Sequence, residues 1–199
     1  MSTTASPQPE TEVLAPKKRS RFKTIVISTA GALAVLVAGV LIAASTKPDT
    51  CRIERSMVIN APAEAIYPLI ENYQSFMSWS PFEKSDPDMK RTFSGPAAGE
   101  GSVYEFDGNS QAGKGRIEIT EAVPASRVVM SLDFERPFEC HNIVEFTLTP
   151  EGDSTKVTWL MHGPNQFMGK VMQVFCDMDK MVGSQFEEGL TNLKALAEK

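Results

Sequence analysis

The chain has 199 residues with 20 basic and 25 acidic side chains, enough for one domain with a real core and a net charge of −5. Residues 1–46 carry five bases against two acids, which leaves −8 on residues 47–199. So acidic a body argues against nucleic acid or an anionic membrane surface as its main partner. The three cysteines, Cys51, Cys140 and Cys176, lack metal or redox spacing. One disulfide is open to them in an oxidising compartment, but three unpaired, mostly buried thiols are the preferred reading.

Residues 1–16, rich in Thr, Pro, Ser and Glu, read as a disordered tail. Together with Lys17, Lys18, Arg19, Arg21 and Lys23 they form a basic-ended segment, 1–23. Thr24 to Ala44 follows, 21 residues without a charge. At the helical rise it spans roughly 31 Å, close to the hydrocarbon thickness of a bilayer. A transmembrane signal-anchor helix over 24–46 is preferred. A cleaved signal peptide competes with it, since Ala43-Ala44-Ser45 supplies small residues, but the run exceeds the ~7–15 residues of a secretory h-region. A buried core helix is the weakest reading, because only Ser28 and Thr29 interrupt the apolar run. No lipidation box is present, as Cys51 follows Asp49 and Thr50. Five basic residues upstream against Lys47, Arg52 and Arg55 downstream place the N-terminus in the cytoplasm. The expectation is a single-pass membrane protein with a periplasmic or otherwise extracytoplasmic C-terminal domain.

From Cys51 the pattern alternates, with Ile53, Met57 and Ile59 on one face and Glu54 and Ser56 on the other. Asn60-Ala-Pro62 reads as a strand end and helix start, with Glu64 suiting the helix dipole. Ile66, Tyr67, Leu69 and Ile70 form that helix's apolar face. A second short helix over Asn72 to Trp79 stops at Ser80-Pro81. Strands follow over 90–94, 103–106, 114–121, 127–134, 141–149 and 156–162, separated by glycine-bearing turns. Their alternation predicts an antiparallel sheet with one wet side. After Gly163-Pro164 the period becomes helical: Phe167, Val171, Val174, Met178, Met181, Phe186, Leu190, Leu193 and Ala197 form one stripe. One long helix is expected here, bent if anywhere at Gly169 or Gly183. It is the element available to cover the sheet's apolar face.

This order resembles the helix-grip fold of the START-like (Bet v 1-like, SRPBCC) superfamily, and within it the polyketide cyclase/dehydrase and lipid-transport group. The resemblance covers about residues 51–198 of a domain read as 51–199. It is carried by Ile59-Asn-Ala-Pro62-Ala-Glu64, Trp79-Ser-Pro81-Phe82, Gly99-Glu-Gly101-Ser-Val-Tyr104 and the closing stretch from Phe167 through Met178-Asp-Lys-Met181 to Leu190. It implies an α+β helix-grip domain, a curved antiparallel sheet wrapped on a long C-terminal helix, following one N-terminal transmembrane helix. It also implies a cavity between sheet and helix for an apolar molecule. Inward-pointing Tyr104, Phe106, Met130, Phe134, Phe146, Trp159 and Met161, with Val174, Met178 and Met181 from the helix, are the candidate lining; a packed core competes for the same residues. Trp79 and Phe82 are candidates for a portal. Methionine's unbranched, polarizable side chain suits both adaptable pockets and irregular packing.

Catalytic signatures are missing from the sequence. Gly113-Lys-Gly115 is a turn between strands and not a phosphate cradle, and there is no His-Glu-x-x-His, paired Cys-x-x-Cys or nucleophile elbow. Glu105, His141 and His162 are the polar groups nearest an expected mouth, and strand-end or surface placement competes for each. Glu118, Asp133 and Glu145 share the polar parity of Glu105. No metal site and no cofactor is expected. The leading reading is a membrane-anchored binding domain for a hydrophobic small molecule or lipid, without catalysis. Against it stand a cyclase- or hydrolase-like enzyme on an apolar substrate, and a protein-interaction or chaperone-assisting module, which would pair a dry core with an exposed apolar patch. The sequence does not give the oligomeric state.

Overall fold

The computed structural model describes residues 19–199, and the chain divides into two units, one ending at Leu41 and the other Ile42–Lys199. Helix α1 (Arg19–Ser45), which begins in the first and ends in the second, contains the stretch Ile25–Ser45, long and apolar enough to cross a membrane and of the kind that serves as an anchor or a signal sequence. Of the expected tail, residues 1–18 lie outside the described residues, while 19–23 are already helical.

The second unit is the expected α+β helix-grip domain. Its elements are β1 (Thr50–Ile59), α2 (Ala63–Glu71), α3 (Tyr73–Trp79), a 3-10 turn (Pro81–Ser85), β2 (Lys90–Ser94), β3 (Val103–Asp107), β4 (Lys114–Val123), β5 (Arg127–Arg136), β6 (Cys140–Glu151), β7 (Ser154–Pro164), α4 (Phe167–Phe175) and α5 (Met178–Ala197). The seven strands form one antiparallel sheet in the order β1-β7-β6-β5-β4-β3-β2. Register fixes the inner face. Arg55, Trp159, Phe146 and Val128 make one row across it, and Ile53, Met161, Val144, Met130 and Ile119 the next.

Local chemistry explains the small elements. Pro68 sits inside α2 and removes one backbone donor, which suits a helix of two and a half turns. The carbonyls of its last turn lack helical partners, and that of Leu69 accepts the Trp79 indole N–H at 2.8 Å. Asn72 caps α3 by accepting from the amides of Gln74 and Ser75. Gly99 and Gly101, at φ +76° and +83°, make the turn into β3 that other residues would strain.

The C-terminal stretch differs from the expected single helix. It breaks at Cys176 and Asp177, both extended, and not at either glycine. Asp177 restarts it, its carboxylate accepting from the Lys180 amide at 3.1 Å. Gly183 serves close approach instead: a Cβ there would lie 2.0 Å from Arg55 Nη2. Arg55 reaches over it to Asp179 (3.0 Å) and Glu187 (2.7 Å). α5 packs chiefly against β1, the 3-10 turn, α2 and α3.

Candidate functional site

Trp159 centres the inner face toward α5. Phe186 stacks on it with ring centroids 4.1 Å apart and planes 7° from parallel, Phe146 lies at 4.8 Å and Trp79 at 5.6 Å. Phe76 closes the group at 4.7 Å from Trp79. All five rings are buried. Phe82, expected at a portal, sits on the rim, 40% exposed with its edge toward Trp159 and Phe186. The space that the sequence assigned to a cavity is therefore filled at this end by side chains in mutual contact.

Further along the inner face, Tyr104, Phe106 and Met130 are buried, while Phe134 and Met161 are half-buried beside Leu132 and Ile117. Phe106 meets Phe134 edge-on at 5.5 Å. The Tyr104 hydroxyl donates to Glu83 at 2.7 Å, and Glu83 also accepts from Arg91 Nε at 2.8 Å. Burial, followed by the Glu83 bond, pushes the Tyr104 phenol well above its ordinary range, so it stays a neutral donor. This Tyr104–Glu83–Arg91 group was not legible in the sequence, because Glu83 lies in a turn too short to show periodicity.

A cleft of about 480 Å³ lies elsewhere, where the α4–α5 joint meets the start of β1. Ile53, Val174, Phe175 and Met178 give it apolar wall, while Lys47, Arg52, Asp177 and Asp179 supply charge. Of the helix residues expected to line a pocket, Val174 and Met178 border this cleft; Met181 is 51% exposed. Cys51 and Cys176 both border it, and all three cysteines are free thiols. Burial raises the Cys51 thiol above its ordinary value, with Asp179 adding to the effect.

The three candidate polar pocket groups are elsewhere. Register puts Glu105, His141 and His162 on the outer face, opposite the aromatic rings. The two histidines do share one end of the β6–β7 pair, but strand parity turns them outward, and His141 Nδ1 sits 2.6 Å from Asp133. Arg116–Glu118 at 2.6 Å and Arg127–Glu145 at 2.9 Å continue a charged outer surface. Among the described residues no group of three or more His, Cys, Asp or Glu side chains is placed to hold a metal.

A seven-stranded sheet gripping a C-terminal helix, with apolar side chains lining its inner face, defines a helix-grip domain. The chain belongs to the family described as polyketide cyclase/dehydrase and lipid transport, whose profile matches residues 50–198. The family points to a hydrophobic-ligand-binding or polyketide cyclase-like domain. No curated protein matches the sequence. Solved structures that resemble it include protein CV1439 from Chromobacterium violaceum (19% identity, 77% of this chain and 99% of that one, TM-score 0.54). The Aha1 dimer from Colwellia psychrerythraea (19%, 74% and 96%, 0.54) and major latex-like protein 151 from Panax ginseng (10%, 76% and 100%, 0.52) are others. At such identities the likeness is one of fold alone.

Proposed function

We propose that this is a membrane-anchored, non-catalytic domain that binds an amphiphile, a lipid or a similar hydrophobic small molecule with a polar end. The observation that carries this reading is the cleft at the α4–α5 joint, about 480 Å³ in volume, within the size range of small-molecule sites. Its apolar side, Ile53, Val174, Phe175 and Met178, suits a hydrocarbon body; Lys47, Arg52 and the two aspartates suit a polar head. The half-buried Phe134, Leu132 and Met161 offer further apolar surface on the sheet. Trp79, Phe82, Tyr104, Phe106, Met130, Phe146 and Trp159 do not border this cleft. α1 anchors the chain with its N-terminus in the cytoplasm and the domain on the outer side, as the basic residues before the run favour.

Native mass spectrometry and lipid extraction of the full chain, purified in detergent, test the proposal. Bound apolar species are expected on the wild type and lost from Met178→Lys, with folding checked by circular dichroism. Absence of any bound apolar species from the folded wild type overturns it.

A further inference from the structure

We infer that helix α4 lies on the surface of the bilayer that holds α1, with its apolar stripe turned into the lipid. This rests on the anchoring reading above.

α4 is amphipathic with its faces reversed. Phe167, Val171 and Phe175 recur at four-residue steps, and Met168 lies beside them. Phe167 is 57% exposed, Met168 45% and Phe175 70%, and no residue of the helix is buried. The opposite side is polar and faces the protein. Gln173 Oε1 accepts from Asn165 Nδ2 at 3.3 Å, and Lys170, its side chain only 15% exposed, pairs with Asp49. A helix settling on a soluble domain does the opposite.

The occupant follows from where α4 is tied. The amide of Asn165 donates to the Asp49 carbonyl at 2.8 Å, and its Nδ2 donates to that of Pro48 at 2.9 Å. α1 ends at Ser45, so only Thr46 and Lys47 separate its last turn from Pro48. The three Cα steps from Ser45 to Pro48 reach at most about 11 Å. Whatever angle the domain takes to α1, the start of α4 stays beside the point where the chain leaves the membrane. A protein partner would be free to choose any surface, whereas the bilayer is bound to meet this one. Charge does not oppose this: the body carries −8, yet residues 164–176 contain no Asp or Glu and one Lys, so the stretch itself brings no negative charge to an anionic lipid surface. Apolar side chains at such a boundary, with basic groups nearby, fit an interfacial helix.

The test uses the full chain in phosphatidylcholine–phosphatidylglycerol vesicles whose acyl chains carry bromine, a contact quencher of tryptophan. Phe175→Trp and Phe167→Trp are compared with Lys156→Trp, exposed on β7 at the end away from α4, each after subtraction of the wild-type signal. The added tryptophan on α4 should be blue-shifted and lose most of its emission to bromine, while that at 156 is unaffected. Red, unquenched emission from both α4 sites overturns the inference. Blue-shifted but unquenched emission also overturns it: dependence on protein-to-lipid ratio would mean a second copy covers the stripe, and independence that the chain covers it itself. An alkaline wash of the same vesicles reads the anchor separately. Retention with unquenched α4 sites leaves the anchor standing and removes the inference, whereas release removes the anchor.

Discussion

Replacing Phe186 by Ala should cost most of what docks α5 on the sheet. The ring is 2% exposed and lies flat on Trp159 at 4.1 Å, with Phe82 edge-on at 6.4 Å. Its removal leaves a void that α5, held by Leu190 and Leu193 in the same cluster, cannot close by sliding. Buried Phe→Ala changes cost about 3–5 kcal/mol, and a domain of this size loses roughly 2–4 °C per kcal/mol, so a fall of roughly 6–20 °C follows. The chain has two tryptophans, Trp79 and Trp159, and both belong to this cluster. Urea unfolding of the full chain in detergent, followed by tryptophan fluorescence and near-ultraviolet circular dichroism, therefore reports the site itself. Amphiphile retention should stay close to wild type, since Phe186 does not border the cleft. A loss below about 1 kcal/mol with an unchanged tryptophan signal would refute the reasoning, because a cluster that tolerates this change is loose enough to admit ligand.

Asp177→Ala removes the cap that restarts the helix and should cost about 1 kcal/mol in urea unfolding; no change would mean that the break is set elsewhere. The Arg55 guanidinium bonded to Asp179 holds that carboxyl below its ordinary value. The pair therefore stabilises the fold above the ordinary carboxylate range, and this is lost as pH falls through that range toward the lowered value. Asp179 is largely exposed, so the effect is modest. Asp179→Asn should reduce the acid-side fall in urea midpoint, and an unaltered acid limb would count against the pair. With a thiol reagent near neutral pH, exposed Cys176 should label first. Cys51 and Cys140, raised by burial, should label slowly until urea opens the fold; equal rates would contradict their placement.

Alternation was a sufficient guide to the sheet because each strand has one buried face, so inward Val128, Met130, Val144, Phe146, Val157 and Trp159 follow from parity alone. The same parity sends Glu105, His141 and His162 outward. Assigning them to a pocket rested on their closeness to an open end, and closeness along a strand does not choose its face. The inward Arg55 was hidden because a charge breaks the apolar pattern; its reason is the two carboxylates of α5, more than a hundred residues away in sequence. The helix break was hidden for the opposite cause. Hydrophobic spacing from Phe167 to Ala197 is nearly continuous across Cys176 and Asp177, and periodicity records which residues are apolar, not which way each half of a helix turns. The local sign was Asp177 itself, a preferred cap residue followed by amides to receive it.

That break has structural consequences which one unbroken helix would not have. α5 uses its apolar stripe in the ordinary way, burying Phe186, Leu190 and Leu193. α4 has a comparable stripe and buries none of it. A helix of nine residues gains little stability from its own hydrogen bonds in water, so what holds α4 is the polar set at Asn165, Gln173, Lys170 and Asp49, all tied to the segment that follows Ser45. The cleft lies between these two differently held helices, and its wall includes Lys47, Pro48, Gln173 and Phe175. Two of the residues that fix α4 beside the chain's exit from α1, Pro48 and Gln173, thus border the volume proposed to hold an amphiphile. On the proposed anchoring, a ligand arriving from the bilayer along Phe175 would reach the cleft without crossing water, which gives the short linker after Ser45 a purpose.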